Sequence, residues 1–499
     1  MRPLHASAYL YRAMTHARLG HTDKAVSDYQ ALIKLQPYHF EANYNLGLLQ
    51  LKTNDYESAI ATLSHSMTLV GGIKKAKALY ALGSAYRKQG KDNYALAMKS
   101  FQEAIRIRPD YIEARFGLAS LEPDTEEGAA RAMAQYNVIL ELKPNYSPTY
   151  MEMGQRYAQR KDIPAALDAY RKAIQYDSSN SLVHYNFGLF LIAQKRWTEA
   201  RQQFEEVIRN KPQDSQSHFN LGRVAYGEKS YDLAFREYKV ALDIEKGNYP
   251  EALLNMGLVY KQQQKYDDSI AMYQSAIKLR GAYPKAWFNT GLAYMKKQDY
   301  DKAAMAFKTA ISQDAEYEQA WHNLGLIYAK QVRMDEAIKA HQRAIQIRPD
   351  YINALMSLAE LYKDTRRYSE SIALFNTVLK ADDRFASAWH HLGEIYLNQG
   401  NLTDAEQSLE TALDMGDDGI EIRRDLADLY LKQRHYDKAI AQMESAVNMD
   451  VANPALRLEL AQAMKRAGRN QEAYAALNKG LSLDPNNTEL RKALQTFQR

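Results

Sequence analysis

The chain has 499 residues, with 65 Lys and Arg against 60 Asp and Glu, a formal net charge of +5 and no cysteine. The lack of cysteine excludes disulfides, zinc–thiolate sites and thiol catalysis. The nearly balanced charge, without a long basic run, gives no indication of nucleic-acid binding, and no apolar run is long enough to span a membrane.

A repeat of about 34 residues runs from near residue 6 to near residue 487. Its clearest copy contains Gly325, Ala337 and His341. One period earlier, Gly291 occupies the position of Gly325 and Phe307 occupies that of His341. Paired small residues indicate where two helices cross closely, and the large residue one turn later fills the space beside the crossing. The pattern predicts about fourteen helical hairpins, each packed on its neighbours in an all-α array.

The boundaries of the array follow from this repeat. Residues 1–5 precede it, residues 6–487 form it, and the amphipathic residues 488–499 are expected to form a C-terminal capping helix. The repeat is irregular around residues 71–128, where Pro123 is expected to end a first helix early. Solenoid ends usually carry a polar cap, and the first hairpin begins without one. We therefore expect a longer natural protein, with an upstream segment such as a membrane anchor.

The recurring positions, which are Leu324, Gly325, Tyr328, Ala337 and Pro349 in the clearest copy, resemble the tetratricopeptide repeat family. The resemblance covers almost the whole chain. It implies a right-handed superhelical solenoid of about fourteen antiparallel helix pairs. In that fold the first helices line a concave face and the second helices lie outside.

No motif in the sequence indicates catalysis. There is no glycine-rich phosphate loop, no G-x-S-x-G and no H-E-x-x-H, and too few residues lie outside the repeats for a catalytic domain. We predict a non-enzymatic protein without a cofactor. A metal site at His390, His391 and Glu394 is the alternative, because histidine and carboxylate ligands suit zinc. These residues are otherwise polar side chains that line a groove.

Asparagine recurs two places before the Gly or Ala of the first helix, a position that faces the concave side in the family that the chain resembles. A primary amide donates and accepts hydrogen bonds, so a ladder of amides can bind an extended backbone whatever its side chains. Alternatively, each amide bonds to the adjoining repeat and fixes the superhelical pitch. Propensity does not explain the ladder, since asparagine is a mediocre helix former. The six positions are Asn45, Asn186, Asn220, Asn255, Asn289 and Asn323.

Apolar residues border this ladder. If they are exposed, they form a strip typical of a partner site, and if they pack between first helices, they belong to the core. Both interpretations stay open at this point. The bordering residues are Tyr185, Phe219 and Phe288, one place before the ladder, and Leu189, Leu258, Leu292 and Leu326, three places after it.

The ladder gives way to acidic residues toward the C-terminus. This half of the groove is predicted to bind a basic segment or, alternatively, to be a solvated polar face. The asparagine pattern itself resembles the repeat region of the O-GlcNAc transferases and of the peroxisomal import receptor, without the transferase catalytic domain. The acidic positions are Glu360, Glu394, Asp425, Asp428 and Glu459.

We predict an interaction scaffold or adaptor that holds an extended or helical segment of a protein partner in its concave groove. Two alternatives are the substrate-targeting region of an enzyme complex, such as a glycosyltransferase, and a bacterial envelope scaffold for polysaccharide export or secretion. Self-association is a further possibility. The compartment stays open between cytoplasm and periplasm, either soluble or held at a membrane by the upstream anchor.

Overall fold

The computed structural model describes residues 3–497, and within that range every regular element is helical. The prediction of an all-α repeat array is therefore confirmed. The chain divides into two compact units at Gly247 and Asn248. Unit 1 contains α1 (Pro3–Arg18), α2 (Thr22–Leu35), α3 (Phe40–Lys52), α4 (Tyr56–Thr68), α5 (Gly72–Gln89), a 3-10 turn (Lys91–Asn93), α6 (Tyr94–Ile107), α7 (Ile112–Leu121), α8 (Glu126–Leu142), α9 (Ser147–Gln159), α10 (Ile163–Tyr176), α11 (Ser181–Ala193), α12 (Trp197–Asn210), α13 (Ser215–Gly227) and α14 (Tyr231–Ile244).

Unit 2 continues the same alternation of first and second helices. None of its helices, nor those of unit 1 within residues 3–497, combines the length and apolar character that a bilayer crossing requires. Its elements are α15 (Pro250–Gln262), α16 (Tyr266–Arg280), α17 (Pro284–Lys296), α18 (Tyr300–Gln313), α19 (Glu318–Lys330), α20 (Met334–Ile347), α21 (Ile352–Asp364), α22 (Tyr368–Ala381), α23 (Ala386–Gln399), α24 (Leu402–Asp414), α25 (Ile420–Lys432), α26 (Tyr436–Met449), α27 (Pro454–Arg466), α28 (Asn470–Leu483) and α29 (Thr488–Phe497).

A glycine in the first helix of a pair faces a large side chain in the second helix. A Cβ atom added to Gly257 would lie 2.4 Å from Tyr273 Cε1, and one added to Gly291 would lie 2.6 Å from Phe307 Cε1. The backbone oxygen of Ser269 also comes within 3.1 Å of the Gly257 position. The two helices approach closely because the glycine leaves room for the ring, which explains the recurring spacing in the sequence.

The core is divided into small clusters that consecutive helix pairs share. In unit 2, for example, Phe307 from α18, Ile327 from α19 and Leu358 from α21 belong to one buried cluster. Each pair therefore packs against its neighbours as well as within itself, as is typical of a solenoid.

The irregular region predicted in unit 1 has a structural cause. Helix α7 ends at Leu121, two residues before Pro123, as the sequence indicates. The buried Arg156 side chain of α9 donates hydrogen bonds to the carbonyl oxygens of Ala119 (2.8 Å) and Glu122 (3.0 Å). These bonds join α9 to the C-terminal end of the shortened helix, where the Ala119 oxygen also accepts from the Glu122 N–H at 3.3 Å.

The turn between the two helices of a pair closes on one residue in the left-handed region. Glycine occupies this position in some pairs, for example Gly400 with φ 77°. Other residues occupy it elsewhere, and Val332 has φ 61° with 75% of its surface exposed. A β-branched residue is strained in this conformation because its Cβ approaches the following carbonyl oxygen.

We expect Val332→Gly to raise the free energy of unfolding by about 1 kcal/mol, because relief of the left-handed strain exceeds the entropy that glycine adds to the unfolded chain. Urea denaturation followed by circular dichroism measures the change. Gly400→Val, at the same register position two repeats later, is the matched control and should lower stability. Destabilisation by Val332→Gly would contradict this account of the turn.

Candidate functional site

Three asparagines occupy the same position on the first helices α15, α17 and α19 of unit 2. In Asn255, Asn289 and Asn323, the side-chain nitrogen donates a hydrogen bond to the carbonyl oxygen four residues earlier in its own helix. This bond fixes the amide and leaves its oxygen as an acceptor. The acceptor carbonyls are those of Glu251, Lys285 and Gln319, at 2.7, 2.8 and 2.8 Å.

The other three amides lie in unit 1 and have different surroundings. Asn220 is buried and, besides a bond to the Gln216 carbonyl of its own helix at 2.9 Å, donates to the Tyr185 hydroxyl at 3.2 Å and accepts from Arg223 at 2.8 Å. Asn186 donates to a methionine sulfur of the preceding repeat at 3.5 Å, and Asn45 is half-buried. Asn220 and Asn186 therefore link consecutive repeats, which is the role expected of a residue that fixes their spacing.

The unit 2 amides differ from one another in this respect. The Asn289 oxygen accepts a hydrogen bond from Lys261 Nζ of the preceding pair at 3.2 Å. Within residues 3–497, no residue donates a hydrogen bond to the side-chain oxygen of Asn255 or to that of Asn323. Both side chains are half-buried. Asn289 thus links two repeats, while the other two amides keep an acceptor available to a ligand.

The aromatic residues beside the ladder pack toward the second helices. The Phe288 ring lies 5.6 Å from the Phe307 ring, and the Phe219 ring lies 5.6 Å from the Tyr238 ring. Tyr185 makes an edge contact, at 5.8 Å, with a second-helix phenylalanine. These rings therefore contribute to the packing of each pair. The four leucines are half-buried and border the amides more openly: Leu189, Leu258, Leu292 and Leu326.

Lys261 is a site residue that the asparagine pattern does not identify. Burial lowers the pKa of its ammonium group, and its hydrogen bond to Asn289 holds it beside the amides. Lys363 has the same register three repeats later and also reaches the following repeat. A lysine six places after the ladder position is the sequence signal that could have identified both residues.

We define the amide face as the unit 2 surface formed by Asn255, Asn289, Asn323, Leu258, Leu292, Leu326 and Lys261. It combines amide oxygens and one ammonium group with half-buried leucines. Such a face can accept hydrogen bonds from backbone N–H groups while the leucines contact apolar side chains.

The acidic positions are paired with cations of the same region. Glu394 accepts hydrogen bonds from His391 at 2.6 Å and from Lys363 at 2.5 Å, and Glu360 lies 3.6 Å from His391. The remaining carboxylates are also partnered, so a basic ligand would have to displace internal cations. Their partners are His390 for Asp425 (2.8 Å), Lys432 for Asp428 (2.9 Å) and Arg424 for Glu459 (2.6 and 2.8 Å).

One group in this region could hold a metal ion. His390, Glu394 and Asp425 each place one ligand atom within 4.8 Å of the others, so Asp425 replaces His391 in the set indicated by the sequence. However, both His390 nitrogens already donate to carboxylates, at 2.8 Å to Asp417 and 2.8 Å to Asp425. The ammonium group of Lys363 supplies positive charge beside Glu394. These contacts account for the cluster as an internal network of ion pairs.

The charged network predicts a pH dependence of stability. Burial alone would lower the pKa of His391, but its ion pairs with Glu360 and Glu394 raise it from 6.5 to about 9. Burial would raise the pKa of Glu394, yet His391 and Lys363 lower it from 4.5 to about 2. The His391 contribution is complete below pH 6.5 and is lost as the pH rises through about 9. The Glu394 contribution is complete above pH 4.5 and is lost as the pH falls through about 2.

We expect His391→Gln to remove the loss of stability that the wild type shows on the alkaline side, between pH 6.5 and about 9. Unfolding midpoints in urea across this range measure the effect. His435→Gln is the control, since His435 is exposed. An unchanged alkaline slope in His391→Gln would show that the ion pairs do not stabilise the fold.

Comparison with known proteins places the repeats in a family. Three models described as tetratricopeptide repeat match residues 10–64, 76–111, 151–215, 396–451 and 431–496. A model of the C-terminal domain of cilia and flagella-associated protein 70 matches residues 198–421. Together these matches fall in both units and coincide with the helix pairs.

Three curated relatives resemble parts of the chain. Anaphase-promoting complex subunit 3 of Schizosaccharomyces pombe is 26% identical, over 32% of this chain and 25% of that protein. Human protein O-mannosyl-transferase TMTC3 is 22% identical, over 36% and 24%. The type IV pilus assembly protein PilF of Pseudomonas aeruginosa is 29% identical, over 34% and 65%. The matched region spans less than two thirds of each relative.

Solved structures also resemble the chain. The APC/C hetero-tetramer Cut9-Hcn1 aligns over 98% of this chain and 96% of its own, with a TM-score of 0.40 and 12% identity. MamA aligns over 34% and 97%, with a TM-score of 0.31 and 26% identity. The likeness of the amides to those of the O-GlcNAc transferases stays a prediction. Because the repeat-model matches recur along both units and coincide with paired helices, the chain belongs to the tetratricopeptide repeat family.

Proposed function

We propose that the chain is a non-enzymatic interaction scaffold whose amide face binds an extended segment of a protein partner. The observation that carries this proposal is the arrangement of the unit 2 amides. Each donates to its own helix, and the oxygens of Asn255 and Asn323 are without a donor within residues 3–497. A half-buried acceptor without a donor costs free energy, so a ligand that supplies the missing hydrogen bond is bound more tightly.

The chemistry of the face suits an extended polypeptide. Backbone N–H groups of a bound strand can donate to the amide oxygens, and the Lys261 ammonium can donate to a backbone carbonyl. Leu258, Leu292 and Leu326 recur at the same spacing as the amides, so apolar side chains of the segment can contact them in turn. Because the polar contacts go to the backbone, this face sets few requirements on the partner's sequence.

The relatives support a role in protein assembly. Two of them are described as a subunit of a complex and as an assembly protein. The likeness to an O-mannosyl-transferase over part of the chain favours a second candidate, in which the repeats direct substrates to an enzyme. The two candidates share the amide face and differ in what it holds, a stable partner or a substrate.

The test is affinity capture from source-cell lysate with the wild type and with Asn255→Ala/Asn289→Ala/Asn323→Ala, followed by mass spectrometry. Each lost backbone hydrogen bond contributes about 1 kcal/mol, and two of the amide oxygens are available to accept one, so the triple variant should bind the captured partner about 30-fold more weakly. Asn376→Ala is the matched control, because Asn376 is exposed on the second helix α22. Circular dichroism confirms that all variants fold.

The captured partner also separates the two candidates. A partner that remains stoichiometrically bound supports the scaffold, and a partner that a co-purifying enzyme modifies supports substrate targeting. Equal capture by the wild type and the triple variant would reject the amide face as the binding site.

A further inference from the structure

A cavity of about 610 Å³ opens between two second helices of unit 2, away from the amide face. Its walls are α18 and α20, and its floor is α19, which contributes Trp321, Leu324 and Tyr328. These floor residues are three and four places apart and lie on one face of α19, whereas Asn323 lies about half a turn away. The cavity and the amide face therefore belong to opposite sides of the same helix.

The surface of this cavity is largely apolar. Trp321 and Ile311 are half-buried, while Leu324 and Tyr328 are buried beneath them. Met305, which lies outside this cavity one turn before Lys308 on α18, has 68% of its area exposed. An apolar concavity of this size is of the kind that receives large side chains of a ligand.

The rim of the cavity is basic. Lys308 stands on α18, and Lys339 and Arg343 stand one turn apart on α20. In the described residues 3–497, no carboxylate forms an ion pair with any of these three side chains, and all three are exposed. The rim carboxylate Glu336 is already bonded to Arg333, at 2.5 Å from its Nε. Exposed cations without an ion pair therefore stand on both sides of an apolar floor, and Lys308 Nζ lies 5.6 Å from the centroid of the Tyr328 ring.

We propose that this cavity, which we call the basic groove, binds an acidic protein segment that inserts large apolar side chains. Cations on opposite walls attract carboxylates placed on both sides of an apolar anchor, so charge complementarity favours a peptide over a ligand with one anionic group. The floor supplies aromatic contacts for the anchor. The groove is a second docking surface, independent of the amide face, and it would allow one scaffold to hold two partners.

The test is selection from a displayed library of random dodecapeptides on the immobilised full chain. We expect enrichment of sequences with several Asp or Glu residues around one or two large apolar residues. The best peptide should bind Lys339→Glu/Arg343→Glu at least about tenfold more weakly, because two attractions become repulsions. Ser312→Trp, which fills the groove from an exposed position, should also abolish binding.

Three controls identify the groove as the site. Lys278→Glu reverses an exposed charge on the preceding second helix and should leave affinity unchanged. The Asn255→Ala/Asn289→Ala/Asn323→Ala variant should bind the peptide as the wild type does. Replacement of the peptide's apolar residues by serine should abolish binding.

Several results would overturn the proposal. One is the absence of acidic enrichment in the selected peptides, and another is undiminished binding to Lys339→Glu/Arg343→Glu. Loss of binding in the asparagine variant would place the peptide on the amide face instead. Full binding of the serine-substituted peptide would reduce the interaction to unspecific charge attraction.

Discussion

Phe307→Ala is expected to lower the local free energy of unfolding by about 3–5 kcal/mol, the cost of a cavity where a large buried ring is removed. Phe307 is fully buried and contacts the Gly291 position of its partner helix, the Phe288 ring and the cluster shared with the next pair. The substitution therefore weakens the packing within one pair and between two pairs.

Amide hydrogen exchange in α17 and α18 is the appropriate measurement, because a solenoid opens locally. Phe307→Leu should have an intermediate effect, since Leu409 occupies the same register position three repeats later. Met305→Ala is the surface control on the same helix, and it should change the local free energy of unfolding by no more than about 0.5 kcal/mol. A Phe307→Ala effect no larger than this control would show that the ring does not hold the pair together.

His322→Phe/His341→Phe is expected to stabilise the protein, and more strongly at acid pH. The two rings lie 5.1 Å apart, at the register of the Phe288 and Phe307 pair one repeat earlier. His341 is fully buried with no hydrogen-bond partner for Nε2. An orphaned buried group of this kind costs about 1–3 kcal/mol, which the phenylalanine pair would recover.

The pH dependence has a definite sign. Burial lowers the pKa of His322 from 6.5 to about 4 and that of His341 to about 3. Since both pKa values are lower in the folded state, wild-type stability is lost as the pH falls below 6.5.

Urea unfolding at about pH 8 and about pH 5 measures the difference, and the double variant should lose less stability between the two conditions. The single variant His341→Phe removes the partner of His322 Nδ1, which lies 3.2 Å away. The double variant should therefore raise the free energy of unfolding by more than the two single variants do in sum. A double variant that retains the acid-side loss would show that other groups cause it.

Much of the architecture could be predicted from the sequence because its causes are local and repeated. Gly291 and Phe307 recur with a fixed spacing since a ring must fit against a glycine at each crossing. The early end of α7 follows from Pro123 alone. The division of the chain at Gly247 and Asn248 falls where Lys246 and Gly247 both have positive φ, outside the regular repeat.

The candidate site was only partly predictable. The register of the amides is a local property and follows from the repeat, but their hydrogen-bond partners depend on the neighbouring first helix. Asn289 and Asn255 have the same position in the sequence pattern, yet only Asn289 is reached by Lys261. Some acidic positions likewise appear unpaired in the sequence, because partners such as Lys363 and Glu394 lie about one repeat apart.

The basic groove could not be predicted from the repeat pattern either. Lys308 and Lys339 belong to different repeats and stand at different register positions. They form one basic rim only because α18 and α20 enclose the same cavity. Sites formed by second helices of adjacent repeats therefore require the three-dimensional structure.

The central claim is that a partner segment lies on the amide face, and site-specific photocrosslinking tests it most directly. Benzoylphenylalanine would be placed at Leu292 on the amide face and, as a control, at Lys278 on a second helix of the same unit. The account predicts crosslinks to one continuous partner segment from Leu292 and none from Lys278. Crosslinks from Lys278 without any from Leu292 would contradict it.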